Sequence, residues 1–177
     1  TSQLSVKIYQ VAFPAFAEAH GDPALLQRGF VKLIKYLLLF SLPVSALLIL
    51  APEELLEVFY GTRWLVAAPL LQILALGGIF QSVRSGIEPA LLGCGKSRAV
   101  FALNALQLLL LGVGGVVMAR AQSAAGVAWV VTLAAGVSTG VGLGMMMREA
   151  KIRLAEFLRE LHPVGGSVLL MVGAIMM

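Results

Sequence analysis

The side chains best placed to do chemistry form one small polar set in an otherwise apolar chain. Arg84 and Glu88 stand four residues apart, the spacing that puts two side chains on one face of a helix, and Gln81 shares that face. Asn104 and Gln107 follow on the next apolar run, and Lys7 lies near the end of an earlier one. Charges at membrane depth are costly and are kept for a pathway or a partner. Two readings stand side by side: a snorkelling arginine paired to a glutamate at the membrane rim, or a polar lining for an anionic headgroup. In the second, Lys7, Arg84, Glu88, Asn104 and Gln107 supply the charge and the hydrogen bonds.

Other chemistries find no constellation. Gly95, Lys96 and Ser97 spell the end of a phosphate-binding loop, but Ala90 stands where that loop needs its first glycine, and no strand precedes it. A tight hairpin through Gly93 and Gly95 accounts for the same residues. His20 and His162 fall in separate loops away from the single Cys94, so no metal set forms. No serine, histidine and aspartate set appears, and Glu53 with Glu54 makes an acidic turn rather than a catalytic pair. No complete apolar run carries Asp or Glu in its middle, which leaves no evident proton relay. The expectation is a non-enzyme without a cofactor.

The elements that must hold these residues follow from composition. Of 177 residues, 59% are hydrophobic and only 12% charged, with a mean hydropathy of +0.94. Soluble domains run at roughly 45–50% apolar and 25% charged, so the chain is read as a membrane protein. That excludes a secreted disulfide scaffold, a disordered tail and a nucleic-acid partner, and the net charge of +4 is assigned to lipid headgroups instead. Cutting at the charges leaves uncharged runs at Tyr36–Pro52, Trp64–Val83, Ala99–Ala119 and Ala121–Met147. Each approaches the roughly 20 residues that span a bilayer as helix. Ile8–Ala17 and Leu161–Met177 are read as partial spans, which makes an all-α polytopic protein of about four complete and two partial transmembrane helices. Backbone groups in hydrocarbon must be satisfied within the segment, and none of these runs alternates as barrel strands do. Opening at Thr1 and closing within an apolar run, the chain is read as a fragment.

Placing the cations on alternate sides sorts them sharply. Lys7, Arg28, Lys32, Lys35, Arg84, Lys96, Arg98, Arg148, Lys151, Arg153 and Arg159 share one face, against Arg63 and Arg120 on the other. The first face is therefore cytoplasmic. On the other side Glu53, Glu54 and Glu57 adjoin Phe59, Tyr60 and Trp64, which suits either an interfacial helix entering an aromatic belt or a solvated turn. Residues 149–162 place Leu154, Phe157, Leu158 and Leu161 at i, i+3, i+4 and i+7, the pattern of an amphipathic helix on the inner leaflet or of a docking helix for a partner. Ala128, Thr132, Gly136, Gly140 and Gly144 recur every fourth residue and predict one small-residue packing face. Pro14, Pro43, Pro69 and Pro89 are read as helix interruptions that permit kinks.

The order of these features resembles a known family. Phe13-Pro14-Ala15-Phe16 ends one span, and Asp22-Pro23 precedes a span with Pro43. Ala51-Pro52-Glu53-Glu54, Val58-Phe59-Tyr60-Gly61-Thr62-Arg63-Trp64 and Ala67-Ala68-Pro69 follow, then a helix ends at Leu92, Gly93 and Gly95. This is similar to the C-terminal half of polysaccharide (O-antigen type) flippases in the multidrug/oligosaccharidyl-lipid/polysaccharide exporter superfamily. Tyr60 departs from the Leu-Phe-Gly commoner there. The resemblance implies one lobe, residues 1–177, of a two-lobe transporter with a central cationic cavity, in the bacterial inner membrane. It implies transfer of a polyprenyl-diphosphate-linked oligosaccharide between leaflets for surface polysaccharide biosynthesis. The expected partners are membrane lipid, the lipid-linked oligosaccharide, an N-terminal lobe, and a polysaccharide polymerase or glycosyltransferases. The alternatives are a cation-coupled multidrug exporter of the same superfamily, or a non-transport membrane enzyme or assembly subunit of the polysaccharide pathway.

Overall fold

The computed structural model describes residues 16–18 and 22–150, and the described residues are helical throughout, joined by short turns. Four helices are long and apolar enough to cross a membrane. The chain is an all-α, polytopic membrane protein. Lys7, the partial spans beyond residues 16–18, and all but the first residues of the 149–162 helix lie outside the described residues.

Helix α1 (Pro23–Leu50) starts where local chemistry tells it to. Asp22 caps it, its carboxylate accepting from the backbone N–H groups of Ala24 at 2.9 Å and Leu25 at 3.2 Å, and Pro23 occupies the first turn, where its missing N–H costs nothing. The helix thus begins well before Tyr36, where the uncharged run begins. Charge bounds a hydrocarbon segment, not a helix, and Arg28, Lys32 and Lys35 ride on α1 as exposed side chains.

At the other end Pro52 opens α2 (Pro52–Tyr60), a short helix with Glu53 and Glu54 in its first turn, where the helix dipole favours them. Gly61 then turns the chain at φ 86°, ψ 167°, a region open essentially to glycine alone, into a 3₁₀ segment, Thr62–Ala67. Of the two readings of this stretch the helix is the one observed, with Phe59, Tyr60 and Trp64 exposed and the Tyr60 and Trp64 rings 6.2 Å apart.

Helix α3 (Ala68–Gly93) carries Pro69 in its first turn, so this proline starts a helix rather than interrupting one; Pro43 and Pro89 are the internal ones. Gly95 closes α3 with φ 72°, as Gly95 N–H donates to Leu92 O and Lys96 N–H to Leu91 O, both at 2.9 Å. The phosphate-loop letters are a helix stop. Helices α4 (Ser97–Arg120) and α5 (Ala124–Glu149) form the second antiparallel pair, with Ser123 capping α5 through Gly126 N–H.

Helix α3 packs between α1 and α5, and α5 packs on both α3 and α4, so α3 and α4 meet mostly through α5. Lys96 Nζ lies 3.0 Å from Glu149 Oε1, which sets the α3–α4 turn beside the end of α5 as the alternating topology requires. The largest buried cluster gathers at that end: Phe30, Ile34, Ile87, Leu91, Leu103 and Met146 are nearly inaccessible. Toward the other end Leu47, Val113, Val117 and Trp129 are exposed.

The small-residue face is corrected by the packing. Ala128 and Thr132 are buried, but Gly140 and Gly144 are exposed with open space beside them. The buried seam runs instead through Ala128, Thr132, Ala135, Thr139, Gly142 and Met146. At 3.6 residues per turn a strict step of four drifts by about 40° each time, so the every-fourth-residue line leaves the interface by its third step, at Gly140. Alternating steps of four and three stay on it.

Candidate functional site

Arg84 is the buried cation of the described spans. Side chains on a helix lean toward its N-terminus, and for α3 that is away from the nearer, cation-rich end, so Arg84 turns sideways into the bundle instead of snorkelling out. Its side chain is only 4% exposed. Nε donates to Glu88 Oε1 at 2.8 Å, and Nη2 donates to Asn104 Oδ1 on α4 at 2.8 Å. Nη1 is buried and makes no hydrogen bond. A guanidinium has five N–H donors and no acceptor, so this geometry leaves one edge of a fixed cation without an oxygen to bind. Glu88 is partly open, with 22% of its side chain accessible.

The rim reading loses a part. The pairing of Arg84 with Glu88 stands but the snorkelling does not, since the guanidinium is enclosed. Asn104 joins the cluster directly. Gln107 is half-buried and bonded to none of these side chains, and Gln81 is exposed. Among the described residues no group of three or more His, Cys, Asp or Glu is placed to hold a metal.

Elsewhere along α3 runs a set of hydroxyl and amide clips that periodicity alone did not point out. Thr132 Oγ1 donates to Ile73 O at 2.8 Å and Thr139 Oγ1 to Phe80 O at 3.1 Å, two contacts one heptad apart that bind α5 to α3. Ser82 Oγ donates to Ser41 Oγ at 2.8 Å, and Gln72 Nε2 to Ile49 O at 2.8 Å, tying α3 to α1. The close approach is permitted by Gly77, where a Cβ would stand 3.0 Å from Thr132 Oγ1. The signal was present as threonines seven apart on one run and serines on two others, but a hydroxyl's partner here is a backbone carbonyl, which sequence does not mark. An apolar groove of about 500 Å³ between Leu76 and Phe80 of α3 and Trp129 and Leu133 of α5 holds no ionisable group.

The assembly is one enclosed guanidinium whose Nη1 makes no hydrogen bond, with a carboxylate and an amide that hold its other nitrogens. Arginine on a phosphate or carboxylate oxygen is a strong charge-assisted contact.

Comparison with known proteins agrees with the membrane fold and with the resemblance seen in the sequence. Residues 1–69 match a family described as polysaccharide biosynthesis protein. The chain is 27% identical over 87% of its length to the teichuronic acid biosynthesis protein TuaB of Bacillus subtilis (strain 168), covering 32% of that protein. It is 27% identical over 61% of its length to the lipopolysaccharide biosynthesis protein WzxC of Escherichia coli (strain K12), covering 22% of it. It is 25% identical over 62% of its length to an uncharacterized membrane protein in the cps region of Klebsiella pneumoniae, again covering 22%. The chain therefore spans about a third or less of the curated relatives it matches. No solved structure matches it. The chain is thus similar to proteins of polysaccharide biosynthesis.

Proposed function

We propose that the chain is part of a flippase that carries a polyprenyl-diphosphate-linked oligosaccharide across the bacterial inner membrane for surface polysaccharide biosynthesis. The observation that carries this reading is the enclosed Arg84, held by Glu88 and Asn104 with Nη1 unfilled, inside a helical membrane bundle similar to polysaccharide-biosynthesis proteins. A diphosphate that leaves water loses hydration worth many kcal/mol and needs fixed positive charge to offset it. Arg84 supplies that charge once α3 and α4 part, a motion made accessible because the two helices pack chiefly through α5 rather than on each other. In this reading the chain catalyses no covalent step and works with the rest of a longer transporter, the companion lobe included, alongside the polymerase or glycosyltransferases of the pathway.

The test uses the full-length protein in a strain lacking it, with surface polysaccharide measured at matched membrane abundance. Arg84→Ala is expected to lower export, and Arg84→Lys to retain part of it, because the charge survives without the guanidinium fork. Arg120→Ala, exposed at the outer end, should leave export unchanged. Full export from Arg84→Ala removes this residue from the transport path. No glycan from the unmutated protein overturns the flippase reading itself.

A further inference from the structure

The 28 residues of α1 extend about 42 Å at 1.5 Å per residue, whereas the hydrocarbon core is about 30 Å thick. The surplus lies at the cytoplasmic end, because the far end of α1 passes directly into α2. That surplus of about eight residues carries Arg28, and Lys32 and Lys35 follow in the next two turns, from which their long side chains can reach back to the headgroups; the three stand at i, i+4 and i+7 on one face and all are exposed. Among the described residues this face is turned away from α3: Phe30, Ile34 and Ser45 are buried and Ser41 meets Ser82 of α3, on the opposite side of the same helix. Next along it toward the hydrocarbon comes Leu39, at 47% exposure, with Tyr36, at 61%, on its flank. None of the three cations has an ion-pair partner among the described residues, where the pairs are Arg84 with Glu88 and Lys96 with Glu149. Asp22, the nearest acid in sequence on this helix, is engaged in capping it.

We propose that this outward face of α1 binds an acidic phospholipid headgroup of the inner leaflet. Arg28, Lys32 and Lys35 take its phosphate oxygens, Tyr36 flanks them, and Leu39 lies along the acyl chains. The assignment follows from charge complementarity: three unpaired cations on successive turns, the first beyond the hydrocarbon and the others long enough to reach its headgroup layer, continuous with an apolar surface one turn further in. It rests on the orientation of the spans and is independent of what the protein transports.

The experiment reconstitutes the full-length protein in phosphatidylcholine bilayers and measures, by electron spin resonance, the protein-associated fraction of trace spin-labelled phosphatidylglycerol against spin-labelled phosphatidylcholine. The unmutated protein is expected to prefer the acidic lipid by at least about fivefold, the worth of one cation at an anionic surface. Arg28→Gln/Lys32→Gln/Lys35→Gln should bring the ratio to parity, while Arg28→Lys/Lys32→Arg/Lys35→Arg should keep it. Raising salt to 1 M, where the Debye length shrinks to about 3 Å, should weaken the preference without any substitution. An unchanged ratio in the glutamine triple, or a salt-insensitive one, overturns the site. So does a wild-type protein that is indifferent to phosphatidylglycerol but retains an isoprenoid diphosphate through these three residues, since the face then belongs to the transport path.

Discussion

Arg84 and Glu88 are an unequal pair, and the inequality decides what each substitution costs. Arg84 is almost wholly enclosed whereas Glu88 keeps an opening to its surroundings, so losing the carboxylate strands a buried cation, but losing the cation leaves an anion that can still be solvated. Removing one partner of a buried pair costs about 3–5 kcal/mol, while replacing the pair with apolar groups of similar size is often neutral. Glu88→Ala should therefore lower the thermal midpoint of the purified protein more than Arg84→Met, and Arg84→Met/Glu88→Leu should recover much of the loss. Equal midpoints for the two single variants would mean that Arg84 is solvated in the membrane. Sequence showed the i, i+4 pairing and the neighbouring amides, since those depend only on helical geometry. It did not show that Asn104 bonds the guanidinium and Gln107 does not, because that choice is set by the angle at which α4 crosses, which α5 fixes.

Among the elements, α5 shows how a repeat misleads when its period is slightly wrong. The glycines of α5 suggested a single line through Gly140 and Gly144, but both face open space, while Gly142 is the position under load. A Cβ there would stand 3.1 Å from Leu103 Cδ1 and 3.2 Å from Ile87 Cγ2, so α4 and α3 both press on it. Gly142→Leu should cost about 1–3 kcal/mol or more through overpacking, and Gly140→Leu should cost little. Size-exclusion profiles of heated, detergent-solubilised variants would check this, and equal heat resistance would place Gly142 outside the seam. The beginning of α1 was hidden for a related reason. Lysines and arginines mark where hydrocarbon stops, but the Asp22 and Pro23 cap marks where the helix starts, and only the cap is a statement about backbone.

For the whole molecule, the alternation of helix ends was the most legible property, since it needs only the number of spans and not how the helices pack. The packing bears the alternation out. The α3–α4 turn and the end of α5 share one end through Lys96 and Glu149, and the turn at Ala121 lies at the other. The native Cys94 is a poor reporter of this arrangement. It is only 5% exposed, and burial, with Glu149 adding to it, pushes its thiol above the usual value, so little reactive thiolate is present at neutral pH. Exposed neighbours serve better. In a Cys94→Ala background, Ser97→Cys should resist a membrane-impermeant maleimide in intact spheroplasts and react after permeabilisation, whereas Ala121→Cys should react in both. The reverse pattern would invert the bundle, put Arg28, Lys32 and Lys35 on the outer leaflet, and remove the inner-leaflet lipid site together with the direction of transport.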